Sequence, residues 1–215
     1  MKVDKSSLLL YAVTDRTWLK GLTLAEAVEE ALRGGVTFLQ LREKKLDYPS
    51  FLQLAREIKK VADKYQIPYV INDDVDVALT CGADGVHVGQ SDMETQEARM
   101  RIGPDKILGV SAQTVEQALR AEQNGADYLG VGTVFPTSTK LDAEAVSFET
   151  LREICQAVSI PVVAIGGINK DNALELAGSG IDGIAVVSAI FAQDDIASAA
   201  KALREISSRM VGHEA

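Results

Sequence analysis

A (β/α)8 TIM barrel is the fold this sequence predicts, and three observations carry the prediction. Short apolar runs of strand length alternate with helical patterns, and eight such units can be marked along the chain. One local pattern recurs in four places: Gly35-Val36-Thr37-Phe38, Gly82-Ala83-Asp84-Gly85, Gly125-Ala126-Asp127-Tyr128 and Gly180-Ile181-Asp182-Gly183. The recurrences are 47, 43 and 55 residues apart, about two βα units. Finally, the apolar content is mostly Val, Ile, Leu and Ala, with aromatics at only 5%, as expected of a buried parallel sheet covered by helices.

The elements follow in order. Residues 8–14 form the first apolar strand, and 24–33 carry a helical pattern. Gly35 supplies the left-handed residue that ends this helix before the strand at 38–42. A helix at 48–65 leads to Ile67-Pro68 and the strand at 69–72, with proline at a strand start where no ladder donor is needed. Gly82 then introduces the strand at 85–88, and a further strand covers 107–111. A helix at 115–124 ends near Gly125, before the strand at 128–131. A helix at 148–157 precedes Ile160-Pro161 and the strand at 162–165; Gly180 precedes the last strand, 183–187. An open doubly wound sheet is the alternative, but no GxGxxG follows the first strand. No linker interrupts the series, so residues 1–215 are expected to be one domain with its core at about 8–206.

The chain carries 31 acidic against 22 basic residues, a net charge of −9. That balance argues against nucleic acid or an anionic membrane as partner, so an anionic ligand has to be met by local cations or a metal. The apolar run at 8–13 is too short for a signal peptide and nothing approaches a membrane span, which points to the cytoplasm. Cys81 and Cys155 lack CxxC spacing and read as small buried or half-buried residues in a reducing compartment. A homodimer is compatible with the sequence, because barrel helices can bury an interface without a recognisable motif.

In such barrels the chemistry sits at the C-terminal ends of the strands. Period-two alternation in the second strand sends Leu39 and Leu41 to the helix layer, with Gln40 and Arg42 toward the axis and Lys44 beyond. A structural ion pair of Arg42 with Glu43 or another acid is the competing reading. The third strand ends in Asn72-Asp73-Asp74, and the loop after the fourth carries Gln90-Ser91-Asp92. Carboxylates at neighbouring strand ends suit Mg2+, which takes one or two of them with waters and substrate phosphates. Asp74 and Asp92 each have a second reading as helix N-caps.

Ser111 ends the fifth strand pointing inward, with Gly109 leaving space below it. Gln113 and Thr114 suit the cap of the next helix. Beyond the sixth strand, Phe135-Pro-Thr-Ser-Thr-Lys140 brings the hydroxyls of Thr137 and Thr139 together with a cation, a good match for phosphate oxygens. Ile165-Gly-Gly-Ile168 and Val186-Val-Ser-Ala189 lie where backbone amides bind phosphate in this fold. His87 reads as a hydrogen-bonding residue inside the barrel, with acid–base catalysis as the alternative. Two anion-binding regions emerge, suited to a diphosphate ester reacting with a monophosphorylated molecule.

Six segments in register resemble the thiamine phosphate synthase family: Gln40-Leu-Arg-Glu-Lys44, Ile71-Asn-Asp73, Gly85-Val-His-Val-Gly-Gln-Ser-Asp92, Phe135-Pro-Thr-Ser-Thr-Lys140, Ala164-Ile-Gly-Gly-Ile168 and Val187-Ser-Ala189. The resemblance spans roughly residues 8–206. It implies Mg2+-dependent coupling of hydroxymethylpyrimidine diphosphate with a thiazole phosphate, releasing diphosphate. By similarity Gln40, Leu41, Arg42, Glu43, Lys44, Asn72, Ser111 and Lys140 would bind the pyrimidine diphosphate, and Asp73 and Asp92 would hold Mg2+. Thr137, Ser138, Thr139, Gly167, Val187 and Ser188 would contact the thiazole phosphate. Arg42, Lys44, Ser111 and Lys140 would serve the chemistry directly. The chain departs from the family pattern at Thr133, where Pro is common, and along 141–147. A thiazole tautomerase-like isomerase and a non-catalytic barrel that binds a phosphorylated metabolite are the alternatives. The isomerase would not need Asp73, Asp92, Arg42, Lys44 and Lys140 together, and the non-catalytic barrel would bind its ligand without turnover.

Overall fold

The computed structural model describes residues 3–137 and 145–212. Its eight parallel strands are β1 (Leu10–Val13), β2 (Phe38–Leu41), β3 (Tyr69–Asn72), β4 (Gly85–Val88), β5 (Ile107–Ala112), β6 (Tyr128–Val131), β7 (Val162–Ile165) and β8 (Gly183–Val186). They pair in chain order, and β8 returns to β1 to close the barrel. The strands fall within two residues of their expected bounds. β1 begins at Leu10 because Lys5–Leu8 winds into a 3-10 turn capped by the Asp4 carboxylate.

The helices are α1 (Leu24–Arg33), α2 (Tyr48–Tyr65), α3 (Val75–Cys81), α4 (Thr95–Ile102), α5 (Val115–Gln123), α6 (Phe148–Ala157), α7 (Ser188–Phe191) and α8 (Ile196–Met210). The crossover from β7 to β8 departs from the regular repeat, carrying only a 3-10 turn at Ala173–Leu176. Glycines at 178 and 180, both with positive φ, leave that segment too little regular chain for an α-helix.

Two apolar cores result from the strand alternation. Leu39, Leu41, Leu129 and Val131 face outward into the layer beneath the helices. Leu8, Tyr11, Phe38, Ile107, Tyr128 and Val163 fill the barrel interior. The rings of Tyr11, Phe38 and Tyr128 meet edge to face, with centroid separations of 4.6, 5.4 and 5.9 Å. Gly109 makes room for them: a Cβ there would lie 2.2 Å from the Tyr128 ring and 2.5 Å from His87 Nδ1.

The fourfold Gly-x-Asp/Thr pattern has a single structural purpose. In each copy the glycine takes a positive φ, from +73° to +103°, and the next residue is buried. The third residue then clamps the preceding strand through two reciprocal hydrogen bonds. Asp84 N–H donates to Tyr69 C=O (2.8 Å), while Tyr69 N–H donates to Asp84 Oδ2 (2.9 Å). Asp127 makes the same pair with Leu108, and Asp182 with Val162. Thr37 does so with Leu10, its hydroxyl replacing the carboxylate. The odd-numbered strands are thereby fastened to the even-numbered ones at the floor of the barrel.

Asp84→Ala is expected to cost about 1–3 kcal/mol, the usual penalty for stranding a buried backbone donor. Asp84→Asn keeps an acceptor oxygen and should lose less. Urea denaturation of the pair tests this; equal losses would show that the clamp oxygen is not what stabilises β3.

Candidate active site

The C-terminal ends of the strands surround a cavity of about 400 Å3. Gln40 and Arg42 enter it because period-two alternation turns both to the axis, and Ser111 enters from β5 in the same way. The Arg42 amide donates to the hydroxyl of buried Thr14 (3.0 Å), continuing the pairing beyond the end of β2. Glu43 has its own cation: Arg16 Nε lies 2.6 Å from Glu43 Oε2. Burial pushes the Glu43 carboxyl up, but hydrogen bonds from Arg16 and the amides of Lys45 and Lys44 outweigh it and hold the group below its usual range. The Arg42 guanidinium is thus left to the cavity, with no ion pair among the described residues.

Asp73 adopts a left-handed conformation (φ 64°), which short polar residues tolerate best, and donates its amide to His87 C=O (2.8 Å). Its carboxylate meets Asp92 from the next loop and pairs with Lys44 on the other side. Burial and the Asp92 carboxylate push the Asp73 carboxyl above its usual range, and Lys44 only partly offsets them. Asp74 is the N-cap of α3, accepting from Val77 N–H (2.8 Å). Asp92 does not cap α4; Glu94 occupies that position, and Asp92 Oδ2 accepts from Gly89 N–H instead (2.7 Å). Two crowded carboxylates fit a divalent cation that completes its shell with water and ligand oxygens. No cluster of three or more His, Cys, Asp or Glu occurs among the described residues.

Across the mouth lies a cup of backbone. Gly166 and Gly167 have φ of +103° and +65°, and a Cβ on Gly167 would come within 2.4 Å of Pro136 O. Asn172 holds the turn, its amide donating to Gly167 C=O (2.9 Å). The loop after β6 is laced onto this turn: Val134 N–H donates to Ile165 C=O and Phe135 N–H to Gly166 C=O, both 3.1 Å. Gly167, Val187, Ser188, Thr133 and Thr137 all line the cavity. Ser138, Thr139, Lys140 and residues 141–144 lie outside the described residues.

Of the remaining candidates, Asn72 lines the cavity, whereas Lys44 and Asp73 are not among its lining residues and pair with each other. The Leu41 side chain is fully buried in the outer core, so only its backbone can serve a ligand. Gln113 lines the cavity, and Thr114 alone caps α5. His87 bridges Tyr128 OH and Ser111 Oγ, 3.0 Å from each. Tyr11 at the cavity base and Gln90 at its rim were not singled out from sequence, because a tyrosine in an apolar run and a glutamine in a polar loop carry no distinctive signal. Both cysteines are half-buried free thiols, and burial raises each, that of Cys155 to about 12; neither is poised as a thiolate. Among the described residues no helix is long and apolar enough to cross a membrane.

Residues 10–190 match the family model described as thiamine monophosphate synthase. Thiamine-phosphate synthase of Ruminiclostridium cellulolyticum is 56% identical over 203 residues, covering 94% of this chain and 97% of its own. That of Clostridium tetani is 54% identical, covering 90% and 93%. The solved thiamine phosphate pyrophosphorylase from Pyrococcus furiosus superposes with a TM-score of 0.89 at 43% identity, covering 97% and 99%.

The raised Asp73 carboxyl has a thermodynamic consequence. A folded-state value above the unfolded one means that stability present at low pH is lost as pH rises through the folded value. At neutral pH without metal, Asp73→Asn is therefore expected to melt at or above the wild type, with the gap closing in acid. A divalent cation should raise the melting temperature of the wild type but not of the variant. A variant that melts lower at neutral pH would show Asp73 to be a structural partner of Lys44 instead.

Proposed function

Because the chain belongs to the thiamine monophosphate synthase family and is a transferase that forms thiamine phosphate, we propose that its barrel mouth divides into a diphosphate end and a phosphate end. The substrates are a pyrimidine carrying a diphosphooxymethyl group and a thiazole carrying an ethyl phosphate. The observation that supports this reading is that one cavity is lined both by Arg42 and Ser111 and by the Gly167, Val187 and Ser188 turns.

At the diphosphate end Arg42, Lys44 and Ser111 act on the leaving group. Diphosphate departs from a benzylic-type carbon on an electron-rich aminopyrimidine, so a ring-stabilised cation can form before the thiazole nitrogen attacks. That path needs the leaving charge met by preorganised donors and the nucleophile held in line; no protein nucleophile is required. Arg42 supplies a planar charged fork, and Ser111 a hydroxyl donor. Asp73 and Asp92 would hold Mg2+, which when bound neutralises charge on the leaving diphosphate. Lys140, by family resemblance, joins the same end.

At the phosphate end the amides around Gly167, Val187 and Ser188 receive the thiazole phosphate, with Thr137, Ser138 and Thr139 from the neighbouring loop. The thiazole nitrogen carries no proton to remove, in keeping with a His87 ring engaged through both nitrogens. Free thiols at Cys81 and Cys155 support a reducing, cytoplasmic setting.

Thiamine phosphate and diphosphate are expected to form when the protein is mixed with both substrates and Mg2+. Tight ligand binding without product would favour a carrier barrel instead. Arg42→Met should lower kcat/KM by roughly 2–4 kcal/mol of transition-state stabilisation, as when one preorganised donor is lost. Unchanged turnover would remove Arg42 from the leaving-group site.

A further inference from the structure

A chain of side-chain hydrogen bonds runs along the inner wall of the cavity, from Gln40 to Ser111. The Gln40 amide nitrogen donates to Tyr11 OH, which lies 2.8 Å from Tyr128 OH. Tyr128 OH lies 3.0 Å from His87 Nδ1, and His87 Nε2 lies 3.0 Å from Ser111 Oγ. Gln40, Tyr11, His87 and Ser111 all line the cavity, while Tyr128 is wholly buried behind them. No buried side-chain nitrogen or oxygen among the described residues lacks a partner.

With the His87 imidazole neutral, each inner member carries one proton to give along the chain, one on each phenol and one on the ring. Burial pushes both phenols well above their ordinary range, so both keep their O–H. A chain of single-proton members can be ordered in only two ways. In one, every bond points from Gln40 toward Ser111. Tyr11 donates to Tyr128, Tyr128 to His87 Nδ1, and His87 Nε2–H to Ser111; the serine proton then points into the cavity and the Gln40 carbonyl oxygen is left as an acceptor. In the other, every bond is reversed, and the cavity meets a serine acceptor and a glutamine donor.

We infer that Tyr11, Tyr128 and His87 are positioning residues that couple the two ends of the pyrimidine site, so that it accepts only a ligand with a donor at Gln40 and an anionic oxygen at Ser111. The inference rests on the diphosphate end proposed above. An anion at Ser111 requires the first ordering, and that ordering obliges Gln40 to accept. An aminopyrimidine diphosphate satisfies both ends at once. Its counterpart with a carbonyl in place of the ring amine would need opposite orderings at the two ends and leave a buried group unpaired, the situation in which sites discriminate most sharply. The relay thus converts one substrate's polarity into specificity without touching the reacting carbon.

Two measurements test this. The chain has only two histidines, His87 and His213, so NMR of the ring nitrogens can identify His87. With inorganic diphosphate bound, His87 is expected as the Nε2–H tautomer, and in Tyr128→Phe as a mixture of tautomers. The second measurement compares kcat/KM for the amino substrate and its carbonyl analogue. Wild type should reject the analogue, and Tyr128→Phe should narrow the preference by roughly tenfold or more. If Tyr128→Phe does not fold, Tyr11→Phe breaks the same chain one link farther on. An Nδ1–H tautomer in the diphosphate-bound wild type, or a preference unchanged by either variant, overturns the relay. Absence of thiamine phosphate from the wild type would instead overturn the site reading, while the tautomer measurement still judges the relay on its own.

Discussion

The reciprocal clamps at the floor of the barrel are the constraint on which the other features depend. Thr37, Asp84, Asp127 and Asp182 each satisfy both backbone groups of one residue on the preceding strand. Backbone groups there are shielded from water, so each clamp removes a desolvation penalty as well as setting strand order. With pairing secured at one end, the opposite strand ends can carry residues that contribute little to stability. Arg42, Asp73 and the Gly166-Gly167 turn are of that kind: a cation with no ion pair among the described residues, a crowded carboxylate and a turn open only to glycine.

The barrel interior divides along the same axis. Its lower part is aromatic, with Tyr11, Phe38 and Tyr128 locked edge to face, and its upper part is polar. The two tyrosines belong to both parts, their rings packed below and their hydroxyls feeding the chain that reaches His87 and Ser111. Gly109 is what lets this happen, since any side chain there would occupy the space of the Tyr128 ring. The packing of an apolar core and the orientation of a polar site are therefore one arrangement in this protein.

Much of this was legible in the chain. The four glycine patterns marked the barrel repeat, and strand alternation aimed Gln40, Arg42 and Ser111 inward, because both signals are local and periodic. Other features were not local. Glu43 pairs with Arg16, and Asp74 and Asp92 separate into a helix cap and a carboxylate facing Asp73. Each depends on which loops meet at the barrel mouth, and sequence spacing does not carry that information. The short crossover after β7 also escaped the regular pattern, since glycines late in a segment announce an ending more clearly than they announce a missing helix.

By itself the sequence determined the barrel, its order and the family, because strand period, glycine placement and six motifs in register are properties of neighbouring residues. Only the tertiary structure decided how Tyr11, Tyr128 and His87 act together. They come from three different strands, and a hydrogen bond between strands forms only after closure of the barrel has brought their inner faces to a common axis.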